Sequence, residues 1–598
     1  MSLTPDEVKQ INAQKQLERQ CKAYYLAPMR QAQTNQQGAV CTFDSIHTPP
    51  EQRPSALNEI LKLNVFDSLP VDQKNSLIAG LDEAVEVGIA EYKRRNGGNL
   101  PHASVLAHAL STAHNTVVQG KFDSITSLQQ QQTAFVPDIP KITIANIIAS
   151  ASPVIAYVTN TNKSTKVPLI YLRTVANQTF GALKQGDYLD GAKSGQGYFE
   201  GRFKYRLVNE KGQKTYKQTA TTRYLNSDEA SMLPDPKAQF LPFFSENVSV
   251  RLQGLEIADT RNVPNVNSYG KPVRLNASQQ NESVKIGDET YSFVSGQVNP
   301  TTGEVEVTLD KELPKDAVLT VHLITDTQAT KDNNQNDYLL SLVGASLEDQ
   351  IQYLQLVTSR CGFTIAPEVV EQYANELKIS ILSYPLNAIQ VIFYLEQQIR
   401  LLKEGRDVAI GTDRLFRYDL QKGSTGNVAG AFNTTGDLVK EIFKQVDLAK
   451  VQMKQDSGAS NSFLLYVGDV LSVMFKQMSS SDFTPTGQTA GHGEIVKLGT
   501  MPDGTEVYHT PTKQGVVLET NEVSDMLLVG RSVEPMQNPC VASALQAPII
   551  EDVKAEVRKG QYAVRFSQNA ELNPIGRFRQ QFAVIEVYNV PNLLPATK

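Results

Sequence analysis

The stretch ANELKISILSYPLNAIQVIFYLEQQIRLLKEGR, residues 374 to 406, constrains this chain more than any other. Tyr373, Leu377 and Ile381 recur every four residues, and after Pro385 the residues Ala388, Ile392, Leu395, Ile399 and Leu402 follow a 4-3-4-3 spacing. That spacing keeps apolar side chains on one side of a helix. Pro367 suits a helix start and Gly405 a helix end. The spacing predicts a rod of roughly 55 to 60 Å, bent near Pro385. It carries no residue suited to chemistry, so its stripe calls for a flanking sheet rather than a pocket.

At 598 residues the chain is long enough for three or four folding units with sizeable cores. A hydrophobic content of 40% and a charged content of 20% match a globular protein, neither disordered nor fibrous. The 57 Lys and Arg stand against 63 Asp and Glu, for a net charge of −6. An acidic chain of this size is not a general nucleic-acid binder, because that binding needs a basic surface that displaces counterions. Cys21, Cys41, Cys361 and Cys540 have no C-x-x-C spacing, which argues against a disulfide framework or zinc ribbon and suits a reducing compartment. The opening MSLTPDEVKQ is polar, without a secretory core. The most apolar segment, residues 142–158, is interrupted by Asn146 and Pro153. A soluble chain is expected, with no membrane partner.

Along the chain, Thr4 as N-cap, Pro5 and Glu7 form a helix-start signal. Leu77, Leu81, Val85 and Ile89 mark a helix that stops at Asn96-Gly97-Gly98, and Leu106, Leu110 and Val117 mark another. The polar run around Gln129 to Gln132 reads as a linker, so residues 1–134 are expected to form a separate helical region. KITIANIIASASPVIAYV and KVPLIYLRTV are rich in β-branched and aromatic residues and read as strands. Residues 240–330 read as a small β module, 331–460 as a domain around the rod, and 461–598 as a mixed domain with returning strands. After the rod, TTGDLVKEIFKQVDLAKVQ and NSFLLYVGDVLSVMFKQM read as helical, and EIVKLGT, TEVYHTP and DMLLVGR as strands. The whole is an α+β chain with one dominant helix.

No catalytic pattern survives weighing. GAKSGQGYFEG has glycines at neither phosphate-loop nor dinucleotide spacing. His102, His108 and His114 are six apart, which does not bring them to one helical face, so ordinary core or surface histidines are the better reading. KDNNQNDYLL has Asp337 and Val343 where a calcium loop requires glycine and glutamate. Glu304 and Glu306 share one face of a strand, as solvated carboxylates do. Cys361 reads as a small buried hydrophobe. No catalytic, metal or cofactor site is expected.

One feature exceeds a solvated surface. Arg202-Phe203-Lys204-Tyr205-Arg206-Leu207 alternates basic with apolar, NEKG supplies a turn, and Lys214, Tyr216 and Gln218 resume the alternation. Between Gly191 and Tyr224 eight Lys and Arg face two Glu. The pattern predicts a long, exposed basic hairpin within residues 135–239. Two-stranded ribbons are marginal alone, so an outside brace is expected. An acidic neighbouring subunit fits better than nucleic acid, and it would contact Lys193, Arg202, Lys204, Arg206, Lys211, Lys214 and Lys217.

Taken in order, DIPKITIANIIASASPVIAYV, VPLIYLRTV, GALKQGDYLDG, the rod, SFLLYVGDVLSVMFKQM, GTMPDGTEVYHTP, MLLVGRSVEP and FAVIEVYNV resemble the major capsid proteins of tailed bacteriophages, in the large myophage subgroup, over residues 135 to 590. That family's usual Gln-Pro-Met-x-x-Pro-x-Gly run is replaced here by ASPVIAYVTNTNKSTKVP. The resemblance implies an N-terminal arm, an extended β-hairpin loop, a long spine helix, a mixed α/β axial domain and, at 240–330, an inserted β module. It implies a non-enzymatic subunit that assembles as hexamers and pentamers into an icosahedral head around double-stranded DNA. Scaffolding, maturation protease, portal and decoration proteins are the implied partners, with packaged DNA met only indirectly. The implied location is the virion, assembled in the host cytoplasm, and residues 1–134 would be a scaffolding-like or cleaved segment. A tail sheath or tube subunit is the alternative.

Overall fold

The computed structural model describes residues 5–34, 45–62, 71–119, 138–161, 163–189, 195–209, 212–225, 232–261, 272–279, 283–329, 339–372, 383–419, 435–488, 493–520, 522–556 and 559–589. The chain divides into two compact units, Met1–Tyr171 together with Ile351–Lys598, and Leu172–Gln350.

The first unit opens with helices α1 (Pro5–Cys21), α2 (Ala27–Thr34), α3 (Ser55–Leu61), α4 (Val71–Arg95), α5 (Ala103–Gln119) and α6 (Asp138–Ser150). In α4 the four-residue spacing does what it predicts, burying Leu77, Leu81, Val85 and Ile89. The helix ends where expected: Gly97 and Gly98 hold φ of 60° and 86°, and the Gly98 N–H donates to the Lys93 carbonyl at 2.8 Å. This left-handed ending suits glycine, which has no Cβ to clash. Leu106 and Leu110 of α5 are buried, whereas Thr4, the side chains of Glu7 and Val117, and the glutamine run lie outside the described residues.

The expected strand at KITIANIIAS is helix α6. Ile144, Ile147 and Ile148 are buried there in one core with α4 and α5 side chains, and that packing overrides a β-leaning composition. The helical region is also knit to distant chain. Asn115 Nδ2 donates to the Asn160 carbonyl at 3.0 Å, Thr116 Oγ1 accepts from the Ala547 N–H at 2.6 Å, and Arg94 reaches Glu494 at 3.0 Å. After α6 come strands β1 (Ile155–Tyr157) and β2 (Lys166–Ala176).

The second unit is a β-sandwich built from β3 (Arg202–Arg206), β4 (Thr215–Thr219), β5 (Ser249–Leu252), β6 (Leu255–Asp259), β7 (Val273–Arg274), β8 (Asn276–Ala277), β9 (Ser283–Ile286), β10 (Glu289–Asn299), β11 (Glu304–Leu309) and β12 (Leu319–Ile324). One sheet runs β3-β12-β5-β6-β8 and the other β4-β11-β10-β7, with β9 beside β10. Inward residues of both sheets share one core, among them Phe203, Tyr205, Tyr216, Val250, Val305, Val307 and Val321. The expected free hairpin is therefore corrected. β3 pairs with β12 and β4 with β11, and among the described residues only an isolated bridge, Val208 to Lys217, joins the two arms. Alternation at 202–207 is the mark of a half-buried strand, and its apolar half is covered by strands about a hundred residues later. The expected boundary at 239/240 falls inside this sandwich.

The chain then forms β13 (Ala345–Gln355), which pairs with β2, followed by β14 (Val357–Ile365) and helices α7 (Pro367–Gln372) and α8 (Ser383–Gly411). Residues 373–382 of the expected rod lie outside the described residues. Helix α8 has 29 residues, about 43 Å at the usual rise. Pro385 is the third residue of the described helix, and the expected bend beside it involves residues 373–382, outside the described residues. Gly405 does not end the helix but lies within it, pressed against the Phe582 ring, which leaves no room for a Cβ.

The rest of the first unit is α9 (Thr435–Ser457), α10 (Asp469–Lys476), and strands β15 (Leu415–Asp419), β16 (Ser462–Val467), β17 (Thr484–Pro485), β18 (Val496–Thr500), β19 (Glu506–His509), β20 (Val523–Arg531), β21 (Cys540–Glu556), β22 (Lys559–Leu572) and β23 (Phe582–Tyr588). A seven-stranded mixed sheet runs β15-β23-β20-β16-β19-β18-β17, and a four-stranded sheet runs β1-β21-β22-β14. SFLLYV, expected as helix, is β16. Phe463, Leu465 and Val467 bury toward α9 and α10, while Leu464 and Tyr466 bury with Leu401, Leu402 and Ala409 of α8. A strand covered on both faces reads as an unbroken apolar run, which periodicity cannot tell from a buried helix. The front half of α8 packs on the smaller sheet through Leu386 and Phe393, whose ring stacks on Phe566 at 4.0 Å. One helix thus spans two sheets.

Candidate assembly surfaces

The described residues hold no group of three or more His, Cys, Asp or Glu placed to bind a metal ion. Groups with displaced protonation are structural. Burial lowers His108 to about 4 against a hydrogen bond to the Val158 backbone. Asp525 is raised by burial, although Arg406 sits 2.5 Å away. Lys497 is lowered by burial, with Glu506 at 3.5 Å. His102 and His114 do not join His108: one meets Ser104 at 2.9 Å, the other Glu59 at 3.8 Å. Glu306 is held by Lys217 and Gln297, and Cys361 is half-buried against the Leu386 cluster. The expected polar loop at 331–338 lies outside the described residues. No described helix is long and apolar enough to cross a membrane.

What the first unit offers instead is uncovered apolar surface on regular elements. Among the described residues β14 is an edge strand, paired with β22 on one side only, and Val357 on it is 58% exposed. Tyr353 at the end of β13 is exposed as well. On α8 the buried face runs through Leu386, Gln390, Gln398, Leu401, Leu402, Gly405 and Ala409. The stripe expected from spacing is only partly covered: Leu402 is buried, but Ala388 and Ile392 face solvent beside Tyr384 and Val391. An edge strand and a helix with apolar residues in water are the usual marks of a docking surface.

In the second unit, β13 opens with five consecutive exposed residues, Ala345 to Asp349, among them Leu347 at 73%. The basic residues expected to act together divide between the sheets. Arg202, Lys204 and Arg206 leave the outer face of the β3-β12-β5-β6-β8 sheet, while Lys217 lies on the other sheet against Glu306 at 3.0 Å. Lys214 is exposed near Lys217, and Lys193 and Lys211 lie outside the described residues. Arg202 meets Glu200 at 3.2 Å, and Arg206 reaches the Ala317 carbonyl at 3.4 Å.

Register adds two neighbours that spacing did not reveal, the cationic Arg251 and the imidazole of His322. Lys204 lies opposite His322, and Arg206 opposite Thr320, which lies opposite Arg251. His322 is driven down to about 4 by burial, then by Arg251 and Lys204. The Arg251 Nε is shielded from solvent and has no hydrogen-bond partner among the described residues. Only a ladder between strands far apart in sequence brings these groups together, so no local signal marks Arg251 or His322.

No protein-family model matches the sequence, and no curated protein matches it. Solved structures do. The chain is similar to the capsid of jumbo bacteriophage PhiKZ at 8% identity and a TM-score of 0.33, over 73% of this chain and 92% of that one. It is similar to the capsid of Ralstonia phage GP4 at 11% identity and a TM-score of 0.29, over 42% of this chain and 78% of that one. A third similar structure is the SrpI encapsulin of Synechococcus elongatus, at 12% identity and a TM-score of 0.26, over 42% and 81%. These three are capsid and encapsulin structures, and each TM-score is below 0.5.

Proposed function

We propose that this chain is the structural subunit of an icosahedral phage head enclosing double-stranded DNA, assembled from hexamers and pentamers of itself and located in the virion. One observation carries the reading. Strands and a helix that are fully formed nevertheless expose Leu347, Tyr353, Val357, Tyr384, Val391 and Ile392 to water. Burying a fully exposed aliphatic side chain is worth about 1.5 to 3 kcal/mol, these half to largely exposed ones gain a matching share when covered, and a second copy is the surface always present at matching concentration. Repeated over a closed symmetric shell, contacts of that size become avid. The role is architectural and not enzymatic. Portal, protease, scaffolding and decoration proteins are further partners of such a head, and assembly takes place in the host cytoplasm.

Negative-stain electron microscopy of the expressed chain tests this. Closed shells or rings of six and five are the expected products. Helical tubes would move the reading to a tail sheath or tube subunit, and a monodisperse monomer at high concentration would end it.

A further inference from the structure

We propose that the outer face of the β3-β12-β5-β6-β8 sheet, at Lys204, Arg251 and His322, docks the exposed strand segment around Glu348 and Asp349 of a second copy of this chain. The proposal rests on the shell-subunit reading and names one of its contacts. On the receiving face, register sets Lys204 beside His322 and Arg251 one row further along the sheet. The carboxylates nearest this patch are committed elsewhere. Glu256, opposite Arg251, holds Arg261 at 2.5 Å, Asp259 accepts the Arg261 backbone N–H at 2.9 Å, and Glu200 holds Arg202 at 3.2 Å. Lys204 and Arg251 therefore have no ion-pair partner among the described residues, and they add to the burial that chiefly lowers the protonation of His322.

The offered strand is the complement. Glu348 and Asp349 are exposed, form no ion pair within the described residues, and follow Leu347, which is largely in water. Successive strand side chains leave opposite faces, so Leu347 and Asp349 share one side of the segment and Glu348 takes the other; whichever side meets the two cations presents a carboxylate, and opposite charges steer such contacts. Duplex DNA fits less well. The patch is narrow, flanked by Glu200, Glu256 and Asp259, and sits on a chain of net charge −6. Because the two surfaces differ, the contact is head-to-tail and passes from copy to copy, which is how rings close.

Charge reversal tests the pairing. K204E/R251E and E348K/D349K are each expected to lose closed particles in electron microscopy and to sediment as small species, while the four-fold combination regains particles. The milder K204Q/R251Q, with circular dichroism and thermal melting on every variant, separates lost docking from lost folding. Wild-type shells unaffected by either reversal, or a combination no better than its parents, would overturn this contact while leaving the subunit reading intact. A wild type that forms no shells would overturn the subunit reading. The reversals would then be read on any self-association seen by sedimentation, and its absence, or its indifference to both swaps, would overturn the contact too. Retention of duplex DNA by wild type, lost in K204E/R251E, would reassign the face to nucleic acid.

Discussion

β20 and β13 are long strands of one chain, with opposite surroundings. Seven of the nine residues of β20 are buried, between β16 and β23, whereas β13 buries only Leu354 of its eleven. Hydrogen bonds to a neighbouring strand are common to both, and each is worth only about 1 kcal/mol net. The difference is coverage. β20 draws its stability from side chains of its own unit, while β13 and β14 leave theirs for another surface to cover. The contrast teaches that strand structure and strand stabilisation come from different places in this molecule.

Four measurements can break or sharpen that contrast. The largest effect is expected at Leu528 of β20, where Leu528→Ala should cost about 2 to 5 kcal/mol in urea denaturation. Leu347→Ala, at an exposed site, should leave the monomer within about 0.5 kcal/mol of wild type and lower only the yield of assembled particles. Equal losses at the two sites would erase the distinction.

Next in size is the pH dependence of the buried helical core. His108 titrates from 6.5 in the unfolded chain to about 4 in the fold, because burial disfavours its charge. Between those values the unfolded chain holds the extra proton. Stability is therefore complete above 6.5 and declines as pH falls toward 4, by about 1.4 kcal/mol per pH unit from this group. Urea midpoints across that range should slope accordingly, and His108→Gln should flatten the slope.

Gly405→Ala places a methyl into the Phe582 ring and should destabilise by about 1 to 3 kcal/mol, despite alanine's better helix propensity. A stabilised variant would show that α8 can lift off the seven-stranded sheet without loss. The smallest effect belongs to the cross-strand pair Lys217 and Glu306. Glu306→Gln should change stability by at most about 1 kcal/mol, and less at high salt, because the lysine end of the pair is solvated.

Helix periodicity was most legible where one face is buried and the ends carry turn chemistry. α4 shows both, with its four-residue apolar spacing and its Asn-Gly-Gly stop. The long helix was legible in existence but not in orientation: Ile392, on the expected apolar stripe, faces solvent, while Gln390 and Gln398 are buried. Two sheets beneath one helix select a face that hydropathy alone ranks lower. SFLLYV and KITIANIIAS defeat a local reading for one shared reason, since apolar density says that a segment is buried and leaves open what buries it. The candidate surface was legible only in part. Arg202, Lys204 and Arg206 follow from alternation, whereas Arg251 and His322 enter through ladder register.

By itself the amino-acid order determined where the chain turns, which segments bury and which alternate, because those properties depend on a residue and its near neighbours. Tertiary structure alone decided that residues 138–150 coil into a helix and that β3 and β4 part into separate sheets. It also decided which cations share a face. The physical reason is that a strand's partners are chosen by long-range hydrogen-bonded register and by the core that register closes, and neither is written within the span of a turn.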